Sequence, residues 1–183
     1  MKRAILLLAL VVCSISATFA GPFSAGFSAG TSYSDYKFEG LSVDPKLGAY
    51  AQVDVDIKIL FLSVSPEVTY RFNRFDVTGD EGFSVKNHAV EGSLMGGFTL
   101  FKILTLEAGP RYIYDFKSSA KYGDGSFGTI ESLHPEWGYG AGATINFSNL
   151  RISARYNGYF EKYESSLGLS SAQHITVGIG CRF

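Results

Sequence analysis

The chain has 183 residues, enough for one ordinary domain. With 16 Lys and Arg against 17 Asp and Glu it is almost neutral, which excludes the basic excess of a nucleic-acid-binding protein. Charged residues make up only 18 %, beside 21 Gly, 11 Tyr and 15 Phe, a composition that leans to β structure and is too apolar for a disordered chain.

Met1-Lys2-Arg3 is a short basic start, Ala4 to Val12 an unbroken apolar run, and Thr18-Phe19-Ala20 a small-residue exit. That order is the pattern of a secretory signal peptide over residues 1–20, leaving 21–183 as the exported domain. Val12 is not the small residue that a lipoprotein signal places before its cysteine, so no lipid anchor is expected at Cys13. Cys181 is then the single cysteine of the exported part, and an internal disulfide is excluded. No other stretch is apolar for the 18 or so residues that a membrane-spanning helix needs.

Successive side chains of a strand point to opposite faces, so apolar–polar alternation is the signal to follow. It occurs eight times. The first segment sets Phe23, Ala25, Phe27, Ala29, Thr31 and Tyr33 against Ser24, Gly26, Ser28, Gly30 and Ser32. The second sets Leu47, Ala49, Ala51, Val53, Val55 and Ile57 against Lys46, Tyr50, Gln52, Asp54, Asp56 and Lys58. In the third, Leu60, Leu62, Val64, Pro66, Val68, Tyr70 and Phe72 oppose Ser63, Ser65, Glu67, Thr69 and Arg71. The fourth is weaker, with Val90, Leu94, Phe98 and Leu100 against Glu91, Ser93, Met95 and Thr99. The fifth sets Leu104 to Phe116 on even numbers against Thr105, Glu107, Arg111 and Asp115. The sixth sets Leu133, Pro135, Trp137 and Tyr139 through Phe147 against His134, Glu136, Gly138, Gly140 and Gly142. The seventh sets Leu150, Ile152, Ala154, Tyr156 and Phe160 against Arg151, Ser153, Arg155, Asn157 and Tyr159. The eighth sets Ile175, Val177, Ile179, Cys181 and Phe183 against His174, Thr176, Gly178, Gly180 and Arg182. Every charged residue inside these segments lies on the polar face, which chance placement does not produce.

The links alternate too. Very short turns near Ile59-Leu60, Phe101-Lys102 and Ser148-Asn149 contrast with long links over roughly 35–45, 73–87, 117–132 and 161–172. At the long-link end the apolar face carries Tyr33, Tyr70, Phe72, Tyr112, Tyr114, Phe116, Trp137, Tyr139, Tyr156 and Phe160. At the short-turn end it carries Phe23, Phe98, Phe147 and Phe183, with aliphatic residues between. Two aromatic girdles around an aliphatic band are what the two interfaces of a bilayer select. The expected fold is therefore all-β, an eight-stranded antiparallel up-and-down transmembrane β-barrel without free edges. The alternative is a soluble lipid carrier with its apolar face inward. Against it stand aromatics at the ends of the apolar face rather than its middle, and the absence of a Gly-x-Trp pattern from the first segment.

Within such a barrel the inward charges Glu67, Arg71, Glu91, Glu107, Arg111, Glu136, Arg151, Arg155 and Arg182 are nearly balanced in sign, as a filled lumen requires. The turn at 101–103 predicts an ion pair between Glu91 and Arg111. Small inward residues on the first and last segments, Ser24, Gly26, Ser28, Gly30, Thr176, Gly178 and Gly180, permit either of two arrangements: long side chains laid over that wall, or a narrow water-filled groove along it. Pro66 and Pro110 fall mid-strand on the lipid face and predict a bulge or a missing ladder bond at each.

The last ten residues carry a family resemblance. Ile175, Val177 and Ile179 alternate up to a terminal Phe183, which resembles the β-signal of Gram-negative outer-membrane barrels, with Cys181 where an aromatic is usual. With its layout and length, the chain resembles the OmpA/OmpX-like group of small eight-stranded barrels. The resemblance implies a bacterial outer-membrane location, contact with outer-membrane lipid and lipopolysaccharide, and recognition by the barrel-assembly machinery. A monomer without cofactor is expected.

No phosphate loop, nucleotide motif or metal-ligand spacing is present. His88 on the lipid side lacks a serine and carboxylate around it, and His134 and Glu136 near the outer rim read as a polar network rather than a catalytic set. The loop charges are mixed, Arg74, Asp76, Asp80, Glu81 and Lys86 in the second loop for example, and form no basic patch. The expected role is non-enzymatic, envelope structure or surface interaction through four outer loops. A narrow porin-like channel is the second reading, and a lipid A-modifying enzyme the third.

Overall fold

A computed structural model of the chain describes residues 23–38, 42–78, 83–122, 128–130, 137–160 and 169–183. The signal-peptide region, His134 and Glu136 lie outside these residues. Ten strands account for nearly all of them: β1 (Phe23–Phe38), β2 (Ser42–Pro45), β3 (Leu47–Ile59), β4 (Leu62–Thr78), β5 (Phe83–Leu100), β6 (Leu104–Tyr122), β7 (Gly128–Ile130), β8 (Trp137–Phe147), β9 (Leu150–Tyr159) and β10 (Leu169–Arg182). Eight of them close a ring in the order β3-β1-β10-β9-β8-β6-β5-β4, with β4 returning to β3. All pairings are antiparallel, and β2 and β7 add short ladders to β4 and β6 beyond the wall. Closure satisfies every sheet edge in the span, the condition for strands to cross hydrocarbon.

The faces fall as the alternation predicts. Ile175, Val177 and Ile179 on β10, Leu94 on β5 and Val68 on β4 are exposed, whereas Asp54, Glu67, Glu91, Arg111 and Arg151 are buried inside the ring. β8 and β9, with 11 and 10 residues, are as long as a tilted membrane strand needs to be. The seam joins the two ends of the chain. Gly26 lies opposite Arg182, and Ala25 exchanges both backbone bonds with Phe183, at 3.1 and 2.8 Å.

The three tight turns are Leu60-Phe61, Phe101 to Ile103, and Ser148-Asn149. Leu60, Phe101, Lys102 and Ser148 have φ of 59°, 52°, 63° and 54°. Left-handed residues of this kind match the right-handed twist of the flanking strands, and non-glycine side chains accept the strain to do so. Leu60 is thus a turn residue and does not begin the third apolar row, as the alternation implied.

Both prolines interrupt a ladder without shifting it. The β3–β4 register passes from Asp54 opposite Glu67 to Ile57 opposite Val64, skipping Pro66 and its neighbour. The β5–β6 register passes from Ser93 opposite Arg111 to Gly96 opposite Ala108, skipping Pro110. Each missing N–H deletes pairs on one side only, and no bulge forms.

The long links differ most from expectation. Residues 73–78, 83–87 and 118–122, assigned to loops by the alternation, continue β4, β5 and β6 as a three-stranded extension beyond the girdle, with Val77 opposite Phe83 and Phe83 opposite Tyr122. Here the faces exchange character. Phe75, Val77, Val85 and Ala120 are buried on the inner face beside Asn73, Asn87 and Ser118, with Phe75 only 1 % exposed. Arg74, Lys86, Lys117 and Lys121 lie on the outer face. A bulge at Phe116, opposite the step from His88 to Ala89, falls at this boundary.

Candidate functional site

Inside the ring, arginine–carboxylate contacts stand in tiers, each arginine coming from a different strand than its partner. Nearest the short turns, Asp56 meets Arg182 Nη1 at 3.3 Å and Lys58 Nζ at 3.7 Å, and accepts a hydrogen bond from Ser65 Oγ at 2.7 Å. One step up, Arg151 Nη1 donates to both carboxylate oxygens of Asp54 at 2.8 and 2.7 Å. Above that, Arg155 spans two acids, reaching Glu67 at 2.6 and 3.0 Å and Glu107 at 2.6 Å. In the upper tier Glu91 is held between Arg71 Nε at 2.5 Å and Arg111 Nη1 at 3.1 Å.

His174 completes the upper tier, its Nδ1 3.3 Å from Arg71 Nη1 and its Nε2 3.1 Å from Arg111 Nη1. From β10 it thus reaches across the lumen to β4 and β6. Asp54 and Asp56 had been placed on the inward face without a part in the charge network, yet each anchors a tier. Their signal was present as the same parity as Tyr50 and Gln52. Of the nine predicted lumen charges, all but Glu136 lie within the described residues and take part in these contacts.

The wall of small residues is covered. Tyr50 lies across Gly30 and Gly178, so closely that a Cβ on Gly178 would sit 2.1 Å from its hydroxyl. Asp54 and Arg151 similarly occupy the space over Gly26. The glycines therefore give room for long side chains from the neighbouring strands β3 and β9. Between the upper two arginine tiers a cavity of about 10 Å³ remains, lined by Tyr50, Gln52, Arg71, Glu91, Arg111, Arg155 and His174. That is room for about one water.

At the upper rim, on the outside of the barrel, Tyr70 Oη lies 2.8 Å from His88 Nδ1. Phe72 and Phe116 flank the imidazole at ring separations of 4.9 and 6.0 Å. The register sets Lys117 directly opposite His88, Arg74 opposite Lys86, and Lys121 opposite Ser84. A basic patch thus exists where the sequence, read as separate loops, offered only mixed charges. Among the described residues no group of three or more His, Cys, Asp and Glu side chains is placed to hold a metal ion.

No family model matches the sequence, and no curated protein matches it. Solved structures do resemble the fold. Ail, the attachment invasion locus protein of Yersinia pestis, solved in complex with the heparin analogue sucrose octasulfate, aligns with TM-score 0.58 at 16 % identity, over 89 % of this chain and 100 % of that one. A second structure of Ail aligns with TM-score 0.53 at 17 % identity, over 89 % and 100 %. The fold is that of the small eight-stranded outer-membrane β-barrels. In this barrel the girdle pairs Tyr112 with Trp137 edge-on at 5.2 Å, and Tyr139 packs on Phe160 at 5.4 Å. Amphipathic rings in such a ring-shaped belt fit the headgroup level of a bilayer.

Proposed function

We propose that the chain is exported by its first 20 residues, which are then removed, and resides in the bacterial outer membrane as a monomeric, non-enzymatic barrel with a closed lumen. Its role is structural or surface-interacting, through the connections at the long-strand rim. The observation that carries this reading is the lumen lattice. Five arginines meet five carboxylates across the bore, and the cavity between the upper tiers has room for about one water. A buried charge without a partner costs several kcal/mol, so a lattice this complete favours a plug over a moving lining. The inner cluster around Phe75 adds an apolar layer above it.

Contact with outer-membrane lipid and lipopolysaccharide follows from the outward belt. Recognition by the barrel-assembly machinery rests on Ile175, Val177, Ile179 and Phe183, all lipid-facing on the last strand. The absence of an enzyme role is supported by the engagement of Asp54, Asp56, Glu67, Glu91 and Glu107 in the tiers. It is supported also by His88, whose ring nitrogen is taken by Tyr70 rather than by a nucleophile.

Single-channel recording in planar bilayers tests the plug. The refolded protein is expected to produce no conductance steps, and stable steps would establish the channel reading instead. The mass of lipid A from cells expressing the protein is expected to be unchanged.

A further inference from the structure

We propose that the outer face of β4, β5 and β6 at the girdle binds the phosphate of an anionic lipid headgroup, with His88 at its centre. This rests on the reading of the barrel as membrane-embedded. The outward row Phe72–His88–Lys117 crosses the three strands. The next row outward brings Arg74 opposite Lys86, and the one after brings Ser84 opposite Lys121. Four cations therefore converge on one face within two rows of the imidazole.

Among the described residues of these three strands, the acid on that face is Asp76, which is engaged. It accepts from Ser84 Oγ at 2.7 Å and lies 3.6 Å from Lys46 Nζ. Lys117 is exposed at the bulge, where the extra residue turns its side chain outward beside Phe116. Tyr70 Oη and His88 Nδ1 share a hydrogen bond, and in the tautomer in which the hydroxyl donates, Nε2 carries the imidazole proton and offers a donor. The donor and the ammonium groups are what a phosphate oxygen accepts from.

The occupant is a lipid and not a soluble anion because of what lies directly below. Tyr70, Phe72 and Phe116 form a shelf around His88, and Val90, Leu94 and Val68 continue it as an exposed apolar surface. One molecule with phosphate and acyl chains matches both halves. A cation at this boundary is less screened than in open water and attracts anionic headgroups most strongly there.

The test uses the full barrel in detergent micelles and native mass spectrometry of retained lipid. Probes are diphosphoryl lipid A, the same lipid with its phosphates removed, and inorganic phosphate as competitor. Diphosphoryl lipid A is expected to be retained, about tenfold more weakly by the Lys86→Gln/Lys117→Gln variant. Retention by Lys102→Gln, at the opposite rim, is expected to match the parent. Lys117→Gln alone, at an exposed position, serves if the double variant does not fold. Equal retention of the dephosphorylated lipid, unchanged retention by the lysine variants, or displacement by inorganic phosphate at low concentration would each overturn the proposal. Heat-modifiable gel mobility separates the two levels of failure. A parent protein without it breaks the membrane reading, whereas its presence with no lipid preference breaks only the headgroup site.

Discussion

Two stretches of the same three strands have opposite sidedness. Between the short turns and His88, β4, β5 and β6 are apolar outside and ionic inside, with Val68 and Leu94 exposed and Glu67, Arg71, Glu91 and Arg111 buried. Beyond His88 they are charged outside and apolar inside, with Arg74 and Lys117 exposed and Phe75, Val77 and Val85 buried. The pleat does not change, since odd residues of β4 point inward throughout. What changes is the medium outside. Hydrocarbon rejects charge, so the lower stretch must hide its ions within a closed cylinder. Water rewards charge outside, so the upper stretch buries its apolar residues in a core of the soluble kind.

The largest effect should come from breaking the ionic interior. Glu91→Ala leaves the buried Arg71 and Arg111 without their shared acid and should cost about 3–5 kcal/mol, read as a fall in the urea midpoint of unfolding in detergent. A midpoint unchanged by this substitution would mean that water reaches the tier. In the apolar interior of the upper stretch, Phe75→Ala should cost about 3 kcal/mol by the same measurement, as for any large core side chain.

The outer face sharpens the contrast on one strand. Val68→Arg, in the belt, should destabilise by about 2–4 kcal/mol, whereas Arg74→Val, three pleats further out, should change stability by less than about 0.5 kcal/mol. The two substitutions exchange the same residue types on the same face, so comparable costs would erase the boundary. The smallest contrast concerns glycines. Gly178→Ala would drive a methyl against Tyr50 and should cost about 1–3 kcal/mol, while Gly92→Ala, with open space around it, should be nearly neutral in thermal melts.

This inversion also explains what the sequence disclosed and what it hid. The eight segments, their faces and the three tight turns were legible because hydrocarbon imposes strict alternation. The Glu91–Arg111 contact followed from the turn at 101–103 and the parity of two residues. The extension was not legible, because Phe75 and Val77 put apolar residues on the parity that Glu67 and Arg71 had marked as polar. Read with one rule, that phase change looks like the end of a strand. Arg74, Lys86, Lys117 and Lys121 were likewise scattered over separate links until the register aligned them. His174 was known to point inward, but only the small bore brings it to Arg71 and Arg111.

Where acyl chains end on the outer face can be measured directly. Single fluorophores on cysteines introduced at Val68, Leu94, Arg74 and Lys86, in a Cys181→Ser background, can be exposed to bilayers of brominated phospholipid. Strong quenching at Val68 and Leu94 with little at Arg74 and Lys86 is the expected result. Equal quenching at all four positions, or protection of Val68 and Leu94, would contradict the placement of the apolar face in lipid and of its boundary at His88.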